Sequence, residues 1–136
     1  MNKDTRNIIE KCARIGVFGT FLGHGIVALG VNPKWIPLMT CFGFSKQQAI
    51  ILMPYIGILD IIVAFFVLIF PIRIVVFWAF LWAFATALSR PISGMEFAEF
   101  VERSANWSLP LVLLITLGIP DTAKNWLTMK SIKKED

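Results

Sequence analysis

The residues best suited to chemistry are Glu96, Glu99, Arg103 and Asn106, followed by Pro110. At about 100° per residue, their spacing places them on one helical face within an arc of about 80°. Glu99 and Arg103 stand four apart with the acid first, the favourable order for a helical ion pair. In hydrocarbon a charge is costly unless paired or hydrated, so such a stripe turns inward and marks a site. Carboxylates and a guanidinium there can exchange protons or hold a polar head group. Two plainer readings stay open: a helix lying on the membrane surface with a solvated charged face, and a purely structural ion pair that locks the helix to its neighbours.

Three residues elsewhere join the stripe as candidates. His24, the sole histidine, falls about 10 Å from the end of its helix, a depth similar to that of Asn106. Gly16, Gly19, Gly23 and Gly30 define a close-packing face beside it. The imidazole can be a hydrogen-bonded packing group or one that exchanges protons with a bound head group. Arg90 ends the third apolar run where the acidic stripe begins, and can clamp Glu96 or Glu99 or bind a lipid phosphate. Asp60 is an intramembrane acid in a small face with Gly57 and Ala64; it can carry a proton or pair across the bundle. The ligand-binding candidates, for a quinone or a lipid head group, are therefore His24, Arg90, Glu99, Arg103 and Asn106.

One histidine excludes bis-histidine haem ligation within the chain. Cys12 and Cys41 form no CxxC and lie about 40 Å apart along a helical path, so metal and thiol-redox sites lack ligands. Any redox centre would come from a partner. Trp78, Trp82, Trp107 and Trp126 read as packing and interface anchors.

The elements that must position these groups follow from composition. Of 136 residues, 57% are apolar and 16% charged, against about 45–50% and about 25% in soluble domains. The excess lies in long runs, which excludes a soluble enzyme, a secreted disulfide scaffold and a disordered tail. The expected fold is all-α: an integral membrane four-helix bundle, one transmembrane domain over 1–136. Its spans fall at about 12–31, 46–69, 72–89 and 95–119, with a basic tail over 120–136. The run Leu109–Ile119 is too short to cross alone and must borrow the polar residues before it. Asn32 and Pro33 open an interfacial segment, 32–44, with Trp35, Leu38, Met39 and Phe42 on one face. Ser45 with Gln48, and Ser93 with Glu96, have the form of capping boxes opening the second and fourth spans. Ser89-Arg90-Pro91 ends the third.

The net charge of +4 is not a nucleic-acid signal, because the basic residues flank the apolar runs. Lys3, Arg6, Lys11, Arg14, Arg73, Lys124, Lys130, Lys133 and Lys134 collect on the side of the termini. Lys34, Lys46, Arg90 and Arg103 collect on the other. The imbalance places both termini in the cytoplasm.

Arg14-Ile15-Gly16 and Phe21-Leu22-Gly23-His24-Gly25 resemble the opening motif of DoxX-like membrane proteins. The similarity continues through Gly57 to Asp60, Arg90-Pro91 and the Glu/Arg/Asn segment, over about residues 12–119. It implies a multi-pass four-helix protein of the bacterial inner membrane, associated with redox work. Members include small subunits linked to thiosulfate:quinone oxidoreductase and partners of redox complexes. The expected role is an accessory subunit of a larger membrane complex or a homo-oligomer, contacting quinone and not an enzyme on its own. A non-catalytic structural or lipid-binding protein is the alternative. A small proton-coupled transporter using Asp60 and Glu99 ranks last, since no inverted repeat is present.

Overall fold

Helix α1 (Lys3–Leu29) starts well ahead of the first apolar run, because the Asn2 side chain accepts from the Thr5 N–H at 2.8 Å. In the structure, a computed structural model that describes residues 2–129, a 3₁₀ turn (Pro33–Trp35) and the short α2 (Ile36–Thr40) follow. Then come α3 (Lys46–Ile69), α4 (Arg73–Ile92), α5 (Phe97–Glu102), α6 (Ser104–Leu117) and α7 (Ala123–Trp126). No strand occurs among the described residues. Lys130, Lys133 and Lys134, counted in the charge asymmetry, lie outside them, as does the end of the expected basic tail.

Local signals explain several boundaries. Asn32 accepts from the Lys34 N–H at 3.0 Å with Pro33 in the first helical position. Ser45 and Gln48 form the reciprocal capping box, at 2.8 and 3.2 Å. The second expected box does not form. Ser93 closes α4, and its hydroxyl donates to the Arg90 carbonyl. Gly94 takes φ +88°, Met95 N–H reaches Arg90 O at 3.0 Å and Gly94 N–H reaches Pro91 O at 3.1 Å. This is a Schellman termination, which carries α4 past Pro91 to Ile92.

The single helix expected over 95–119 is two helices that meet at Arg103. There the backbone tightens to three-residue hydrogen bonds, Arg103 N–H to Phe100 O and Asn106 N–H to Arg103 O. The Arg103 side chain turns back onto the Glu99 carbonyl at 3.2 Å. The stripe from Glu96 to Pro110 is thus divided: Glu96 is exposed, whereas Pro110 is buried in α6.

Among the described residues, three helices, α1, α3 and α4, are long and apolar enough to cross a membrane. With 14 residues, α6 is only about 21 Å long against the roughly 30 Å of a hydrocarbon core. One core joins all four: Val17 and Phe21 of α1, Ala64 and Val67 of α3, Val76 and Ala79 of α4, Leu113 and Leu117 of α6. On α3 the large side chains Ile51, Ile58, Ile62 and Phe65 also face outward, the pattern of a helix with apolar surroundings.

Helices α1 and α3 come into close backbone contact at Gly25 and Gly57. A Cβ on Gly25 would lie 2.8 Å from the Gly57 carbonyl oxygen, and one on Gly57 would lie 2.7 Å from that of Gly25. The packing face is therefore not the expected one. Among the described residues, a Cβ on Gly19 or Gly23 would meet no other part of the protein within 4 Å, and the nearest atoms to one on Gly16 belong to the Leu109 side chain. Gly25 instead continues the buried row Ala13, Val17, Phe21 and Ala28.

At the opposite end from this contact, arginines hold helix C-termini. Arg6 donates to Thr116 O at 2.5 and 2.9 Å, and Arg14 to the Leu68 and Ile69 carbonyls. Arg73, fully buried, donates to Leu117 O, to Gly118 O at 2.8 Å and to Thr128 O at 2.8 Å. Cations are favoured where unpaired helical carbonyls gather.

Candidate functional site

Between α1, α3 and α4 lies a cavity of about 570 Å³, with α2 and the following loop across one end. The interfacial face read from sequence supplies that end, since Trp35, Leu38, Met39 and Phe42 all line it. Helical spacing brings the rest together. Trp82, Thr86 and Arg90 recur every fourth residue on α4, and Met53, Ile56 and Asp60 form a row on α3.

Asp60 is buried in the cavity wall, at 5% exposure. Trp82 lines the same cavity, and the carboxyl's Oδ1 has no hydrogen-bond partner among the described residues. Such an atom is costly to bury and normally finds a donor or an acceptor. His24 stands on the α1 wall with its ring edge-on to Trp35, centroids 5.6 Å apart. Arg90 is buried where α4 ends. It donates to Thr86 O at 2.5 Å and its Nε lies 3.8 Å from Glu99 Oε2.

Of the residues expected at the site, His24, Asp60 and Arg90 share the cavity wall. Glu99 and Arg103 stand behind Arg90 as a relay of charges. Arg103 Nη1 is 3.8 Å from Glu99 Oε2 and 3.2 Å from Glu102 Oε2. Asn106, half-buried in α6, is not part of the lining. Trp82 is the residue whose role sequence reasoning missed. Its signal was present in the 82, 86, 90 spacing, which sets an indole donor in line with the arginine. Among the described residues, no group of three or more His, Cys, Asp or Glu comes together to hold a metal ion.

The charge relay gives a measurable expectation. Glu99 is 43% exposed, so solvent screens it, and Glu99→Gln should cost less than about 1 kcal/mol. Arg90→Met should cost more, because Arg90 is only 5% exposed and also satisfies the Thr86 carbonyl. A double-mutant cycle in detergent unfolding should return a coupling of about 0.5 kcal/mol. A coupling several times larger would show the pair to be shielded from water.

The chain matches no family model, no curated protein and no solved structure.

Proposed function

We propose that this chain is an integral membrane accessory subunit whose cavity binds the ring of a quinone-type molecule for a redox partner. The observation that carries the reading is the buried Asp60 carboxyl, its Oδ1 unpartnered among the described residues, in the wall of a mostly apolar cavity that also holds His24 and Arg90. A quinone ring offers a hydrogen-bonding oxygen at each of two opposite edges. A protonated Asp60 carboxyl and the Trp82 indole N–H can donate to one edge, and the His24 ring N–H to the other. Apolar walls suit the ring between them. The carboxyl is also a proton acceptor or donor within reach of an oxygen whose protonation follows its reduction. Electrons belong to the partner; this chain binds, orients and exchanges a proton.

The membrane reading draws on the three apolar helices and on the outward apolar side chains of α3. We take the segment of α5 and α6 as a fourth, incomplete crossing, whose polar first half lies at the interface. That makes a four-helix bundle with both termini cytoplasmic, in keeping with the DoxX-like motifs and with the bacterial inner membrane. A lipid head group is the weaker occupant, because Glu99 already engages the arginine that would hold its phosphate.

Titration of the purified protein with a tail-less benzoquinone, followed by calorimetry in one detergent, tests the reading. Asp60→Leu should weaken binding about tenfold, the equivalent of one hydrogen bond of about 1.4 kcal/mol. Asp60→Asn, whose amide N–H can donate to a quinone carbonyl as a protonated carboxyl would, should retain most of the affinity. Equal binding by wild type and Asp60→Leu would sink the site, and copurified phospholipid in place of quinone would favour the lipid alternative.

A further inference from the structure

A second cavity, about 580 Å³, lies on the same seam between α3 and α4. Leu59 lines both cavities. Trp78 of the second stacks on Trp82 of the first, with centroids 5.7 Å apart and planes 14° from parallel. On α3 a row with helical spacing, Leu52, Ile56, Leu59, Val63 and Phe66, runs through both without interruption. On α4 the matching row is Val75, Trp78, Trp82, Ala85 and Ser89. Although only residues 70–72 separate the two helices, they touch sparsely, whereas α1 packs closely along α3. The seam is therefore one groove, about 21 Å from Leu52 to Phe66 at ~1.5 Å per residue.

Its chemistry changes along its length. The half toward the end of α4 carries Asp60, Trp82, Thr86 and Arg90, and the half toward the α3–α4 connection is lined by apolar residues alone. That order, polar head then hydrocarbon, is the order of an amphiphile. We infer that the occupant is a single long-chain amphiphile, its head at Asp60 and its hydrocarbon tail laid along the α3–α4 seam. The inference rests on the head-group reading above and adds the tail, its path and a lateral entry between two helices.

Affinity alone is a poor readout of the tail. A chain moving from lipid into an apolar groove leaves one hydrocarbon medium for another and gains little hydrophobic free energy. Position is the discriminating measurement. The probe is a dimethoxy-methyl-benzoquinone whose alkyl tail carries a diazirine, photolysed with the protein in phosphatidylcholine nanodiscs. Adducts should map to Phe66, Trp78 and Leu81, and excess tail-less quinone should suppress them. Ile62→Trp fills the second cavity without touching the first, since Ile62 lines only the second. It should lower adduct yield there about tenfold, as overpacking does, and leave the affinity of the tail-less quinone unchanged. Adducts that tail-less quinone suppresses but that map to Phe42 and Phe44 would overturn the tail path and leave the head-group reading standing. Adducts in the groove that tail-less quinone does not suppress would show an independent lipid there and likewise overturn it. Absence of any saturable binding by the tail-less quinone would remove the head-group reading, and this inference with it.

Discussion

Arg73→Met is expected to cost about 3 kcal/mol of stability, among the largest effects of any single substitution in this chain. Arg73 is fully buried at the start of α4. Its guanidinium reaches the Leu117 and Gly118 carbonyls where α6 ends, and the Thr128 carbonyl and hydroxyl beyond α7. One side chain thus satisfies acceptors from segments far apart in sequence. Methionine fills similar space but leaves those carbonyls without a donor, each costing about 1–3 kcal/mol where water cannot replace it. Arg73→Lys should recover less than half the loss, because one ammonium lacks the planar fork that spans two carbonyls. Arg6→Met, which removes a similar contact from a half-exposed residue, should cost only about 1 kcal/mol. Thermal unfolding in mild detergent measures the differences. Trypsin cleavage after Lys124 gives a local check, since releasing Thr128 and Asn125 from Arg73 frees the segment that contains it. Unchanged melting and unchanged cleavage in Arg73→Met would show that these bonds contribute nothing.

Arg6, Arg14 and Arg73 also mark where sequence reading reaches its limit. As charges flanking apolar runs they are visible at once, and the topology argument used them only as charges. Nothing local reveals that the carbonyl ends of α3 and α6 come within reach of their guanidinium groups. The caps at Asn32 and Ser45 were legible because donor and acceptor lie within three residues of each other. Ser93 to Glu96 fails for the complementary reason. Its residue types fit a helix start, but Gly94 at φ +88° and the Met95 bond back to Arg90 make it the end of α4. The pattern was right about a boundary and wrong about its direction. At the candidate site, the face of Trp35, Leu38, Met39 and Phe42 followed from periodicity alone. That His24, Asp60 and Arg90 share one cavity did not, because each sits on a different helix and only tertiary packing joins them. Asn106 was drawn in with the stripe of one continuous helix; it lies beyond the break at Arg103 and is not part of the cavity lining.

The contact that joins those helices supplies the other large effect. Gly57→Ala should destabilise the protein by about 3 kcal/mol, the upper part of the usual overpacking range. The added methyl would sit 2.7 Å from Gly25 O, 2.9 Å from Leu29 N and 3.2 Å from the Ala28 Cβ. Two of those neighbours are backbone, so no side-chain rotation relieves the clash and α1 must move away from α3. Gly25→Ala meets Gly57 O at 2.8 Å and should cost about as much. Once one substitution has parted the helices, the second finds room already made, so the double variant should cost clearly less than the sum of the singles. Gly19→Ala and Gly23→Ala are the internal controls. A methyl at either position would meet no neighbouring element within 4 Å among the described residues, and removing a glycine from a helix interior should stabilise by about 0.5–1 kcal/mol. The same movement reaches the cavity, because α1 carries His24 and Ala28 on one wall while α3 carries Met53, Ile56 and Asp60 on another. Gly57→Ala should therefore weaken binding of the tail-less quinone even at temperatures where the variant stays folded. Gly19→Ala should leave it intact. Stability loss without any change in binding would mean that α1 serves the fold alone and that the imidazole of His24 does not meet the ligand.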